Sequence, residues 1–598
     1  MQSSNEHTGD AGDKLKQNLE KLEDLNRRFL AALSKGKPAD PRMQGPGEEF
    51  YAKAATAGVH DAINNPAKLL ERQVGYWGKS LQLWMDAQGA TGESTGGQSQ
   101  QAGKRDRRFR NELWDTHPYF RLLKEQYLLN SEAFSSAVRE VEGLDAKDKS
   151  RLEFFARQFI DMMSPSNFLG SNPEALTRAV DTEGESLVRG LENLVADLER
   201  NDGELSITLS DPEAFKVGGN LATTEGSVVF RNRLFELIQY GPRTEEVRRI
   251  PLLIIPPWIN KYYILDLKPE NSFIRWAVEQ GLTVFVVSWI NPGPELHDVG
   301  MEAYAEEGCM AAIREVLAIT GEEQVNAVGY CIGGTLLALV LAYMAKTGDK
   351  SVRSATFLTT LTDFEDIGEL SVFVQDDFLN AIEQEVEAKG YLPSIHMSRT
   401  FSYMRANDLV YGPAIRSYMM GEPPPAFDLL YWNGDSTNLP AQMSVEYLRG
   451  LCLNNQFSKG GFRLLGETVS LADVRHPLMA VACEADHIAV WRSSFVGIQR
   501  MRSRSKTFVL SQSGHIAGII NPAEGGKYGH YTNSGNAATP DEWLSQADLT
   551  EGSWWPRWGD WVVRRSGGWI PARVAGGPLN PVLCPAPGKY VKGSEVAG

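Results

Sequence analysis

The chain has 598 residues, 42% of them hydrophobic and 23% charged, with a net charge of −16 and a pI near 5.2. That is the make-up of an ordinary globular protein, long enough for two or more domains. The acidic mean field excludes non-specific binding to nucleic acid or to an anionic membrane, and a polyanionic substrate would need a local basic patch.

The first residues, Met1 to Lys14, are polar and hold no apolar signal core. Residues 14–33 carry Leu15, Leu19, Leu22, Leu25, Phe29 and Leu33 at helical spacing, which predicts a charged amphipathic helix. A second helical stretch, from about Glu48 to Gln88, carries Tyr76, Trp77, Leu81 and Trp84. Packing within a helical domain is the favoured use of those side chains, and contact with a partner is the alternative. Residues 89–103, rich in Gly, Ser, Thr and Gln, read as a flexible linker. Residues 105–202 read as helices, with an apolar stripe over Leu187 to Arg200. After Asn201-Asp202-Gly203 the pattern turns to strands, at Ser227–Phe230 and Leu234–Ile238.

From residue 251 onward, strand-like runs (Leu252–Ile255, Leu282–Ser288, Gln324–Gly329, Ser354–Leu358, Leu478–Cys483, Thr507–Leu510) alternate with helical ones such as Tyr304–Ile319 and Leu336–Lys346. Alternation of this kind predicts a parallel sheet with helices on both faces. The interval 363–435 breaks the pattern and reads as a cap inserted over a site. The uncharged stretch Val325 to Ala345 is long enough for a membrane span, but Gly329, Gly333 and Gly334 divide it into strand, turn and helix. In the tail, Trp554, Trp555, Trp558, Trp561 and Trp569 crowd together, with packing on the core as the default reading. The expected organisation is a helical segment and linker over 1–104, a helical domain over 105–205, a catalytic domain over 206–575 and a tail over 576–598.

The five cysteines are Cys309, Cys331, Cys452, Cys483 and Cys584. None forms a C-x-x-C pair, so no disulfide framework and no metal site are expected, and a reducing cytoplasm fits. No cofactor is expected either, because the glycine-rich box at Gly329 has neither the P-loop lysine nor the dinucleotide spacing.

That box, Gly329-Tyr330-Cys331-Ile332-Gly333, lies between a strand-like and a helix-like run, the layout of a nucleophile elbow with cysteine in place of serine. The glycines let the backbone crowd past itself, and Cys331 projects from the turn at a helix N-terminus, a place suited to a nucleophile that carries negative charge. Asp486 follows the Pro477–Cys483 strand, and His515 follows the Lys506–Ser511 strand in a Ser-Gly-His-Ile-Ala-Gly loop. Nucleophile, acid and histidine thus come in the order of an α/β-hydrolase, each on a loop after a strand. His515 is favoured as base over His487. The N–H of Ile332 is the expected oxyanion donor, with a second from the loop around Trp258-Ile259-Asn260. Arg405, in the cap, is a candidate for contact with a phosphate of the substrate, against the competing use of surface salt-bridging.

The chain resembles the class I polyhydroxyalkanoate synthases over roughly residues 105–570. The resemblance rests on Pro165-Ser166-Asn167-Phe168-Leu169, Asn220 to Gly226, Pro256-Pro257-Trp258-Ile259-Asn260-Lys261-Tyr262-Tyr263, Gly329 to Gly334, Trp432-Asn433-Gly434-Asp435-Ser436-Thr437-Asn438-Leu439-Pro440, and Gly514-His515-Ile516-Ala517-Gly518. It implies an α/β-hydrolase fold with a cap, behind a helical N-terminal domain. It also implies a cytoplasmic homodimer at polyester granules, with granule-coating proteins as partners. The implied activity is polymerisation of (R)-3-hydroxyacyl-CoA, short-chain by the aromatic residue before the cysteine, through a thioester on Cys331. A cysteine thioesterase or esterase, and a non-catalytic granule protein, are the competing readings. Two positions depart from the family pattern: Val490 stands before Trp491, and Ala406 follows Arg405, where proline is usual in both cases. Two roles are open for Asp486: orienting His515, or activating the 3-hydroxyl of the incoming unit. The second is favoured, because a polymerase must activate a hydroxyl where a hydrolase uses water.

Overall fold

The computed structural model describes residues 6–36, 45–89, 106–535 and 537–593. It divides into two compact units, one of residues 1–211 with 401–425, the other of residues 212–400 with 426–598. The linker read over 89–103 lies, apart from Gly89, outside the described residues.

The first unit is helical. The long helix Glu6–Lys35 sets Leu22, Leu25 and Phe29 against Val188, Leu191 and Val195 of the helix Glu185–Arg200. Arg28 holds Glu199 through a two-pronged contact of 2.9 and 2.7 Å. A second cluster joins Phe109, Trp114, Phe120 and Tyr127. The segment 401–425 belongs to this unit because it is fitted to the helix Glu185–Arg200. The backbone of Tyr418 occupies the space a Cβ on Gly190 would need, Tyr418 donates to Asp197 at 2.7 Å, and Asn193 donates to the Ser417 carbonyl at 3.1 Å. In the helix Pro66–Gly89, Tyr76 donates to Asn130 at 2.9 Å, whereas Trp77, Leu81 and Trp84 are exposed.

The second unit is built on an 11-stranded sheet. In chain order its strands are β1 (Gly226–Arg231), β2 (Phe235–Tyr240), β3 (Leu252–Ile255), β4 (Val284–Trp289), β5 (Val325–Tyr330), β6 (Val352–Leu358), β7 (Leu478–Cys483), β8 (Lys506–Ser511), β9 (His530–Thr532), β10 (Asp548–Thr550) and β11 (Cys584–Pro585). Their spatial order is β10-β9-β8-β7-β6-β5-β3-β4-β2-β1-β11. The run from β8 to β4 is parallel, and the strands beyond it at both edges are antiparallel. The sheet's connections reverse direction between β3 and β5, and an open α/β sheet receives its ligand at the carboxyl ends of strands beside such a reversal.

The uncharged stretch resolves into β5 and the helix Ile332–Thr347, whose residues from Leu336 to Ala342 have no exposed surface. A helix apolar all round is what a position in the middle of a large core demands. No helix among the described residues is long and apolar enough to cross a membrane. In the tail, Trp554, Trp555 and Trp558 surround Phe273 with ring centroids 4.9 to 5.7 Å away, and Trp569 lies at the surface under Arg248.

Strand β11 closes one edge against β1, and Glu236 of β2 fastens it there. The Glu236 side chain is fully buried and accepts from Arg231 Nε at 2.8 Å and from the N–H groups of Lys589 and Tyr590 at 2.8 and 3.0 Å. Glu236→Ala strands the guanidinium and both amides, which should destabilise this unit by about 3–5 kcal/mol. Glu236→Gln, which keeps an acceptor, should lose less. Urea unfolding followed by tryptophan fluorescence measures both, and equal midpoints for wild type and Glu236→Ala would refute the assignment.

Candidate active site

Cys331 stands between β5 and the helix Ile332–Thr347 with φ 52° and ψ −124°. A residue other than glycine is held in that sparsely populated region only when its surroundings over-determine it. Here the Cys331 N–H is bonded to the Leu358 carbonyl at 2.9 Å, and the Cys331 carbonyl accepts from Gly334 and Thr335 at 2.9 and 3.2 Å. The glycines serve close approach, since neither has a left-handed backbone. A Cβ on Gly329 would run into Gly334, and one on Gly333 would run into the carbonyl oxygens of Ile255 and Pro256. The end of β3 therefore lies directly against the elbow. Ile332 opens the helix, so its N–H is among the first four that have no partner within a helix.

His515 Nδ1 lies 2.7 Å from Asp486 Oδ2. A carboxylate only accepts, so Nδ1 is the donor and Nε2 is the nitrogen left for Cys331. The other oxygen, Oδ1, accepts from the N–H groups of Ile488 and Ala489 at 2.8 and 2.9 Å. The Asp486 side chain has no exposed surface, and that of His515 is 9% exposed. Burial by itself lowers the affinity of His515 for a proton. The charge of Asp486, then that of Cys331, and the hydrogen bonds to both outweigh it and push the imidazole up to about 10. Burial pushes the thiols of Cys309 and Cys483 up, and that of Cys452 up to about 12, so all three are held as thiols.

Cys331, Asp486 and His515 are thus brought together. His487 is half-buried beside Asp486 and takes no part in the bonds that Asp486 makes to His515, Ile488 and Ala489. Asn260 is half-buried on the loop after β3 and forms an isolated antiparallel bridge with Ser436. Arg405 is exposed on the segment 401–425 of the helical unit, whereas the cysteine, aspartate and histidine belong to the other. Among the described residues no cluster of histidine, cysteine and carboxylate side chains is arranged to hold a metal.

Sequence reasoning missed several supporting groups. The ring of Tyr330, used there only as a marker before the cysteine, stacks at 5.9 Å and 23° on His515, and its hydroxyl reaches the His515 carbonyl at 3.4 Å. The loop carrying His515 is tied down by Ser511, Trp554 and Trp555, which donate to the carbonyls of Gly518, Gly518 and Ile519, each at 2.9 Å. The crowding of tryptophans in the tail was the available signal, since indole N–H groups buried in a core must find acceptors. In the segment Glu446–Leu453, the phenol of Tyr447 is pushed up by burial and then by Cys452 and Cys331. No periodicity announces it.

A stability measurement tests the His515 environment. Unfolded histidine titrates near 6.5. A group raised in the folded state stabilises fully below its unfolded value, and that contribution is lost as pH climbs toward about 10. The stability gap between wild type and His515→Ala should therefore shrink from pH 7 to 10. In Cys331→Ala, imidazole NMR should show His515 titrating lower than in wild type, because one of the groups raising it is gone.

Two family models match the chain: the N-terminal region of poly-beta-hydroxybutyrate polymerase over residues 105–277, and the alpha/beta hydrolase fold over 259–522. The poly(3-hydroxyalkanoate) polymerase of Methylorubrum extorquens is 40% identical over 591 residues, 96% of this chain and 96% of that one. The poly(3-hydroxyalkanoate) polymerase subunit of Rhizobium meliloti is 41% identical, over 89% of this chain and 86% of its own. That of Cupriavidus necator is 39% identical, over 92% and 93%. With relatives of this similarity along nearly its whole length, and a hydrolase sheet that carries cysteine, aspartate and histidine in the fold's chain order, the chain belongs to the poly(3-hydroxyalkanoate) polymerases, acyltransferases on an α/β-hydrolase fold.

Proposed function

We propose that this polymerase joins short-chain (R)-3-hydroxyacyl-CoA, 3-hydroxybutyryl-CoA first among them, through a covalent thioester on Cys331. The observation that carries the reading is the elbow cysteine in a strained backbone conformation, paired with a histidine whose other nitrogen is fixed at 2.7 Å from a buried aspartate. Sulfur-to-sulfur acyl exchange is nearly isoenergetic, so a cysteine accepts the acyl group from CoA without trapping it. The Cys331 sulfur attacks the thioester carbonyl, and the proton that His515 carries on Nε2 passes to the departing CoA sulfur, which leaves His515 ready to act as base. The N–H of Ile332 receives the developing oxyanion. The 3-hydroxyl of an incoming unit then attacks the Cys331 thioester, its proton passes to His515, and the Cys331 sulfur leaves. The lengthened chain, now on the CoA of that unit, returns to Cys331 by the first step.

Asp486 is assigned the orienting role. Its carboxylate has no exposed surface, and both oxygens are already engaged, which argues against the hydroxyl-activating role favoured from sequence. Asp486→Asn should slow acylation and elongation together, by on the order of 10³–10⁴, as loss of the orienting acid does in related triads. Rapid-quench measurement of CoA in the first turnover checks this, and a normal first release followed by a stall would reinstate the other role.

The product identifies the reaction. Incubation with (R)-3-hydroxybutyryl-CoA should give CoA and polymer, where a thioesterase gives free acid and a coat protein gives nothing. Cys331→Ala should abolish CoA release, Cys331→Ser should retain a trace, and His515→Ala should lose far more than His487→Ala. Substantial activity in Cys331→Ala would overturn the nucleophile.

The same reading extends to a cytoplasmic homodimer working at the surface of its own polyester. The exposed row Leu70, Val74, Trp77, Leu81 and Trp84 in the helix Pro66–Gly89 supports an apolar contact there. Contact of Arg405 with a CoA phosphate remains part of the proposal, supported by its exposure and charge.

A further inference from the structure

The loop from Pro256 to Tyr263 and the segment from Trp432 to Asn438 are joined at several points. Thr437 donates its N–H to the Ile259 carbonyl at 2.9 Å and its hydroxyl to the Trp258 carbonyl. Lys261 pairs with Asp435 at 2.6 Å, Tyr263 donates to Asp435 at 2.9 Å, and the indole of Trp432 donates to the Lys261 carbonyl at 2.7 Å. From the side of the sheet, Trp289 donates to the Pro256 carbonyl at 2.9 Å, and the ring of Trp258 packs on Tyr304 and Trp289 with centroids 4.7 and 5.7 Å away.

This arrangement has a directional consequence. In a trans peptide the C=O and N–H point opposite ways. With the carbonyls of Trp258 and Ile259 both turned to Thr437, the N–H groups of Ile259 and Asn260 are both turned away from it. The same loop begins against the elbow, where the Ile255 and Pro256 carbonyls meet Gly333. Prolines 256 and 257 have no N–H to offer, and beyond the N–H of Trp258 the next two donors lie on the peptides that Thr437 fixes.

We infer that Thr437 is a positioning residue for acylation, holding the Ile259 and Asn260 amides as the second donor site for the acyl oxyanion. The inference rests on the Cys331 thioester reading. It assigns to the Trp432–Asn438 segment the task of shaping the oxyanion site from outside.

Thr437→Val removes the hydroxyl and keeps shape and backbone, and Thr437→Ser keeps the hydroxyl. First-turnover CoA release should fall about 10- to 100-fold in Thr437→Val, less than the roughly 10²–10³ caused by deleting an oxyanion donor outright. Thr437→Ser should recover to within about threefold. Alkylation of Cys331 by iodoacetamide forms no oxyanion, so its rate should stay within about twofold of wild type in Thr437→Val. Equal losses in alkylation and acylation would mean a merely structural role and overturn the inference, as would an unchanged acylation rate. Should Thr437→Val fail to fold, Asp435→Asn acts on the same loop through Lys261, and an unchanged acylation rate there overturns the inference too. Wild-type protein that releases no CoA would instead overturn the thioester reading.

Discussion

The second unit is organised around a backbone that passes too close to itself for any side chain. At the turn from β5 into the helix Ile332–Thr347, Gly329 touches Gly334 and Gly333 touches the end of β3. That crowding leaves Cys331 as the residue that must bend, with a positive φ. Its conformation is set by hydrogen bonds to β6 on one side and to the first helical turn on the other. The cysteine is thus held in place by the sheet itself.

The histidine is fixed from a different direction. Its ring is bracketed by Asp486 and Tyr330, and its loop hangs from the indole N–H groups of Trp554 and Trp555. Three regions distant in sequence therefore converge on a single imidazole. The acid keeps both oxygens engaged in a dry environment, which is what holds a histidine in one tautomer and one orientation. The loop after β3 is treated the same way, clamped between the tilted Trp258–Tyr304 ring contact and Thr437.

What could be read from sequence is what local patterns encode. The alternation after residue 251 announced the parallel strands, because strands buried on both faces read as continuous apolar runs. The glycine-flanked cysteine, the aspartate after Cys483 and the histidine after Ser511 lie at strand ends, where the fold puts chemistry. Strands β9, β10 and β11 escaped because three residues or two are too few to show an alternation, and Pro585 in β11 argues against a strand anywhere but at an edge. The attachment of 401–425 to the helical unit was also hidden. It depends on the absence of a side chain at Gly190, against which Tyr418 packs, and no periodicity in either segment carries that information. The stacking of Tyr330 and the surroundings of Tyr447 are likewise products of tertiary geometry.

The Glu236 clasp bears on how the protein is made. Its carboxylate is buried between an arginine of the neighbouring strand and two amides that lie 353 and 354 positions further along the chain. While the protein is still being synthesised, those amides have not emerged, and Glu236 and Arg231 have only each other and water. The edge of the sheet stays open through most of translation, exposing unpaired strand groups that invite wrong partners. This edge of the second unit is therefore completed only once the residues around Lys589 and Tyr590 have been made.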